Sequence, residues 1–220
     1  MKETQKLDGQ EWLLWQLADS AFPTGGFAHS HGLEAAWQHG EVRHAADLGE
    51  FLEASLWQMG RGILPFATAA HDEPDQLIAL DQLFDAFQSN HVAKRASRLQ
   101  GRALLASAQR VFEPLSLGLP LHGHLAPIFG AVTNTLCVTR SRAAHLFCFQ
   151  HSRGVLSAAV RLGIVGPLEA QSLQHRLGPC TRKVLSHCEN LPVSEIAQTA
   201  PLLELWQGTQ DRLYSRLFQS

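Results

Sequence analysis

The sequence predicts an all-α fold: a single-domain multi-helix bundle of roughly eight to ten helices. Three observations point there. Apolar residues recur at three- and four-residue spacing along most of the chain, which puts them on one helical face. No period-two alternation persists long enough to mark a sheet. Proline and glycine fall mainly between the periodic stretches, as helix boundaries require. Trp12, Leu13, Leu14 and Leu17 predict a short opening helix behind an N-terminal arm of residues 1–9. Leu33, Ala36 and Trp37 predict the next. Leu48, Phe51, Leu52, Ser55, Leu56 and Met59 give a full i, i+3, i+4, i+7 stripe, and Pro65 and Pro74 punctuate the region after it. Leu77, Leu80, Leu83, Phe84 and Phe87 form another stripe, opened by Asp72-Glu73-Pro74. Residues 91–112 read as a long helix with Ala96, Leu99, Ala103, Leu105 and Ala106 inward, broken by Pro114, Gly118 and Pro120. Leu125–Val138 is apolar enough for a buried helix, and Ala143–Leu162 continues the pattern until Gly163, Gly166 and Pro167. Leu168–His187 and Ile196–Trp206 supply two more, and residues 210–220 remain as a C-terminal tail.

Composition narrows the class. The chain has 220 residues, 45% hydrophobic and 17% charged, so it carries a sizeable core and is not a disordered type. The net charge of −2 gives no global basic field for nucleic acid. No apolar run approaches a membrane span, and the first residues lead into no signal-like segment, so a soluble cytoplasmic protein is expected. Cys137, Cys148, Cys180 and Cys188 form no C-x-x-C pair and read as small buried hydrophobes.

The most distinctive stretch is Ala21-Phe22-Pro23-Thr24-Gly25-Gly26-Phe27-Ala28-His29-Ser30-His31-Gly32-Leu33-Glu34. Pro23 fixes one dihedral and Gly25-Gly26 opens others, so a sharp turn is expected, flanked by two aromatic rings instead of polar loop residues. The tail is the second unusual segment. Tyr214, Arg216, Leu217 and Phe218 mix aromatic, basic and apolar character, and such residues need cover, either from their own domain or from a partner's groove.

Catalytic motifs are lacking. There is no G-x-x-x-x-G-K-[ST] loop and no G-x-S-x-G elbow around Ser30. Metal binding carries more weight, because two H-x-H pairs, His29/His31 and His122/His124, share a face if extended. Lys94, Arg95, Arg98 and Arg102 form a basic stripe with no aromatic neighbours, so it reads as a solvated or protein-docking face. Arg153 and Arg161, on an apolar helix, read as structural ion-pair residues.

The turn residues, with Leu13-Leu14 before them, resemble the N-terminal signature of the urease accessory protein F (UreF) family, usually close to P-x-G-G-F-S-Y-S-Q-G-L-E. Ser157-Ala158-Ala159-Val160-Arg161-Leu162-Gly163 resembles that family's second signature, and Leu213–Phe218 followed by Ser220 resembles its tail. The three stand in the family's order across nearly the whole chain. His29 and His31 replace the family's usual tyrosine and glutamine, and Leu121–Pro127 matches the family's histidine-proline segment only loosely.

The resemblance implies an all-helical chaperone, usually a homodimer, that assists nickel insertion into apo-urease. It implies binding to a scaffold protein (UreD, also called UreH) and to the GTPase UreG, with no catalytic centre and no firmly bound cofactor on this chain. Nickel is then handled by the complex, and neither nucleic acid nor a membrane is a partner. The expected partner-binding residues are Pro23, Gly25, Gly26, Phe27, His29, His31, Glu34, Tyr214, Arg216, Leu217 and Phe218, with His29 and His31 as the metal candidates. Two other readings compete: a stand-alone histidine-based nickel-binding or transfer protein, and a helical hydrolase with a perturbed acid or base in a pocket.

Overall fold

The computed structural model describes residues 2–112, 115–118 and 120–220, with side chains from residue 9 onward. Those residues form eleven α-helices and no strand: α1 (Lys2–Ala18), α2 (Leu33–Gln38), α3 (Ala45–Gly62), α4 (Leu64–Asp72), α5 (Leu77–Phe87), α6 (His91–Val111), α7 (Leu125–Thr135), α8 (Arg140–Arg161), α9 (Pro167–Arg176), α10 (Gly178–Cys188) and α11 (Pro201–Thr209). The all-α class is as expected. The surplus helices arise where proline starts an element instead of ending one. Pro65, Pro167, Pro179 and Pro201 each sit in the first turn of a helix, where the missing N–H has no partner to lose. Thus 168–187 is two helices meeting at Leu177, and a separate α4 follows α3 after Ile63. Helix α1 also runs back to Lys2, through the residues expected to form an arm.

α7 is the innermost element. Its residues Ala126 to Thr133 are all buried, so it has no solvent face, and it packs against α4, α5, α6 and α8. Its most extensive contact is with α4, where Gly130 meets the Ala67 backbone. The long α8 touches α1, α2, α3, α4, α9 and α10 and is the spine on which the two ends of the chain converge. α3 buries its whole predicted stripe.

Two predicted faces are rotated. On α6 the buried line is Val92, Ala93, Ala96, Gln100, Gly101, Leu104, Leu105 and Ala108, while Leu99 is 47% exposed and Ala106 faces solvent. The cause is α6's close approach to the 123–125 segment over Gly101, which no apolar count reveals. On α5, Leu83 faces out and Asp81 is fully buried. The Asp81 carboxyl group accepts from the backbone N–H groups of His122, Gly123 and His124 at 2.7, 3.2 and 2.7 Å, so this buried side chain shapes the approach to α7. Pro114, expected to break α6, lies outside the described residues.

The basic stripe of α6 is used internally. Lys94 and Arg98 pair with Asp85, Arg95 with Asp211, and Arg102 donates to the His122 carbonyl. Cys148 and Cys188 are buried as small hydrophobes, whereas Cys137 is exposed in a positive-φ turn after α7. Gln58 on α3 accepts from the Thr199 and Ala200 amides at 2.6 and 2.7 Å, which sets the start of α11 and hence the path of the tail.

Candidate functional site

The 21–34 segment folds as a compact turn. Phe22 is buried and stacks on Phe112, with ring centroids 6.0 Å apart, while Pro23 is exposed. Gly25 has φ of 73°, a left-handed conformation that a side chain resists, and Gly26–Ala28 then close a short 3-10 turn. Phe27 points outward at 69% exposure. His31, not a glycine, also has positive φ, 56°.

The tail lies across this turn. Glu34, 1% exposed, accepts from the Leu217 and Phe218 amides at 2.5 and 3.1 Å and from Gln210 Nε2 at 2.5 Å. The backbones interlock as well: the Ser30 amide donates to the Ser220 carbonyl at 2.5 Å and the Gln219 amide to the Ala28 carbonyl at 2.8 Å. Gln38 reaches the Ser215 carbonyl at 2.8 Å. Asp211 receives both nitrogens of the Arg95 fork at 3.0 and 2.8 Å and pairs with Arg216 at 3.1 Å, so the basic helix holds the root of the tail. The Arg95 pairing holds the Asp211 carboxyl below its usual range. Arg161 is the central pin. Its guanidinium lies 3.8 Å from the centroid of Phe27 and 4.2 Å from that of Phe218, and it donates to the Phe27 carbonyl.

The residues that the sequence singles out therefore divide. Pro23, Gly25, Phe27, Tyr214, Arg216 and Leu217 are on the surface, with Tyr214 fully exposed, and Gly26 is half-buried. His29, Glu34 and Phe218 are buried at 3%, 1% and 4% exposure. They hold the turn against the tail. Arg161, Gln210, Arg95 and Asp211 complete the clasp, and no local sequence signal marks them for it. The sequence suggests ion pairs for Arg161 and Arg153, but among the described residues neither makes a salt bridge. Arg161 stacks on rings, and Arg153 donates to the Ala18 carbonyl.

The two histidines of the 29/31 pair take different partners. His29 Nδ1 and Ser220 Oγ are hydrogen-bonded at 2.5 Å, whereas His31 turns inward to meet His151 with ring centroids 4.8 Å apart. His124 is buried between Ser97 and Asp85, and His122 lies at the rim of the same cluster. Among the described residues no group of three or more His, Cys, Asp and Glu is placed to hold a metal ion.

Burial sets the protonation of these imidazoles. It brings His29 down from 6.5 to about 4, with help from Arg95, and His151 down to about 4. His31 is also lowered well below its ordinary value, by burial and then by His151. A histidine neutral in the fold takes up a proton on unfolding, so its contribution is complete above pH 6.5 and is lost toward pH 4. Between pH 6.5 and about 5 each of His29 and His151 is expected to remove about 2 kcal/mol of stability. Urea unfolding across that range checks this. A flat profile, or one unchanged in His151→Gln, contradicts it.

Comparison with known proteins agrees with the three signature matches. The sequence model of the UreF family matches residues 42–178. The chain is 38% identical to urease accessory protein F of Oryza sativa subsp. indica, over 94% of this chain and 84% of that protein. It is 40% identical to urease accessory protein F of Arabidopsis thaliana, over 96% and 92% of the two chains. A protein of Schizosaccharomyces pombe described as an uncharacterized UreF-like urease accessory protein is 30% identical over 93% and 94%. The family match spans α3 to α9, and the relatives extend it over nearly all of the chain, so this protein belongs to the urease accessory protein F family.

Proposed function

We propose that the chain is a non-catalytic scaffold in urease maturation, which brings the scaffold protein UreD/UreH and the GTPase UreG together for nickel insertion into apo-urease. Membership of the family supports the accessory role. The observation that carries the scaffold reading is the clasp between turn and tail. Two segments at opposite ends of the sequence are locked into one surface by buried groups, Glu34 above all, and that surface presents Phe27, Tyr214 and Leu217 outward. A fully exposed tyrosine near an exposed arginine is the composition of a binding hot spot, and the half-exposed leucine adds apolar area beside them. UreD/UreH docks on the tail side, and the Pro23–Phe27 turn faces UreG. The protein works in the cytoplasm as a homodimer. Nickel moves with the nucleotide state of the GTPase, without a bond made or broken on this chain.

The stand-alone nickel-binding reading is less well supported, because His29 is engaged by Ser220 and His31 has turned away from it. No helix among the described residues is long and apolar enough to cross a membrane. Capture by immobilised UreD/UreH tests the docking surface. Tyr214→Ala with Leu217→Ser is expected to weaken capture by about tenfold or more while leaving the helical content unchanged. Undiminished capture of that folded variant rejects the tail as the docking element.

A further inference from the structure

A cavity of about 390 Å³ lies behind the turn, between it and helices α6, α7 and α8. That is the size of a small-molecule site. Its walls are mainly apolar, with Leu104, Phe129, Val132 and Phe147 among the lining residues. Polar side chains interrupt them, among them His31, His151, Gln100 and Arg153. His151 meets Ser55 at 2.7 Å, but neither His31 nor the Gln100 carboxamide has a hydrogen-bond partner among the described residues. Arg153 spends one donor on the Ala18 carbonyl, which leaves most of its fork free. The charge of the lining is lopsided. Arg153 is its one permanently charged side chain, and no aspartate or glutamate lines the cavity. Asp19 is near enough to act on Arg153 but lies outside the wall. Burial disfavours the guanidinium's charge, and the two imidazoles are held neutral by the same burial. A cation entering here meets only positive charge. An anion gains the guanidinium, and a hydrocarbon body gains the apolar walls.

We propose that this cavity binds a small amphiphilic carboxylate, its carboxylate on Arg153 and its hydrocarbon against Phe129, Val132 and Phe147. Orphaned polar groups in an apolar pocket fix the orientation of such a ligand, with Gln100 and His31 as donors to the second carboxylate oxygen. The Pro23–Phe27 turn forms one wall of the cavity, whereas the tail residues Tyr214 and Leu217 lie outside it, so capture through the tail does not depend on the site.

Titration calorimetry with octanoate, octan-1-ol and octylamine, on the intact protein at near-neutral pH and below micelle formation, tests this. Octanoate is expected to bind at one saturable site, about tenfold or more tighter than octan-1-ol, with octylamine showing no saturation. Arg153→Gln should reduce octanoate to the level of octan-1-ol and leave the alcohol unchanged. Ser157→Phe, from a half-buried wall position, should abolish both. Methyl NMR of the unaltered protein locates the site without any substitution: octanoate should shift Leu104 and Val132. Absence of saturable octanoate binding, octylamine binding equal to octanoate, or methyl shifts confined to other regions overturns the proposal.

Discussion

Glu34→Ala is expected to release the tail from the turn. Glu34 is 1% exposed and its two oxygens serve three donors: Gln210 Nε2, Leu217 N and Phe218 N. A buried donor without an acceptor costs about 1–3 kcal/mol, so keeping the tail in place over alanine would cost more than most single contacts supply. The tail has another option. By peeling away it returns those amides to water and gives up the burial of Phe218, worth about 2 kcal/mol, together with half of the Arg161 sandwich. The substitution should therefore abolish hydrogen-exchange protection at the Leu217 and Phe218 amides while α7 and α8 keep theirs. Loss of global stability should stop at about 2–4 kcal/mol, the docking energy of the segment. Glu34→Gln retains one acceptor oxygen and should fall between. Full protection of the two amides in Glu34→Ala contradicts this role for the carboxylate.

Gly130→Ala should destabilise the core by about 3 kcal/mol or more. A methyl group there would overlap the Ala67 carbonyl oxygen and lie 2.8 Å from the His71 amide, both parts of the α4 backbone. Neither can swing aside, so α7 must move off α4 at the most extensive helix contact in the fold. Helix propensity argues the other way, since alanine is favoured over a mid-helix glycine by about 1 kcal/mol. The overlap decides the sign. Gly49 in α3 separates the two effects: its nearest neighbour to an added methyl is Leu173 at 4.0 Å, so Gly49→Ala should be neutral or stabilising by up to about 1 kcal/mol. Urea midpoints for the two variants check the pair. A stabilised Gly130→Ala shows that α4 and α7 are not packed this closely.

Much of the fold is legible in sequence because helices bury stripes of short-range periodicity. The α3 stripe from Leu48 to Met59 is buried in full, and α8 follows its predicted pattern within a few residues. What escapes is set by close approaches and by long-range polar contacts. Nothing near Gly101 or Gly130 announces that another backbone passes over it, so the exposed Leu99 and the tight α4–α7 contact are not readable. Proline misleads at Pro65 and Pro179, because each sits in the first turn of a helix that periodicity alone does not separate from its neighbour. The turn is legible from Pro23 and Gly25, and the tail from its composition. Their union is not. The donors to Glu34 lie 176 to 184 residues further along the chain, and no local pattern joins them. Arg161 shows the same limit: an arginine on an apolar helix suggests a carboxylate partner, and the fold supplies two aromatic rings instead.

The central claim is that this chain acts by holding other proteins together. Its most direct test is activation of purified apo-urease by UreD/UreH, UreG, nickel and GTP, with and without this protein. Urease activity should appear only when the chain is present and should fall sharply with Tyr214→Ala and Leu217→Ser. Equal activation in its absence would contradict the claim.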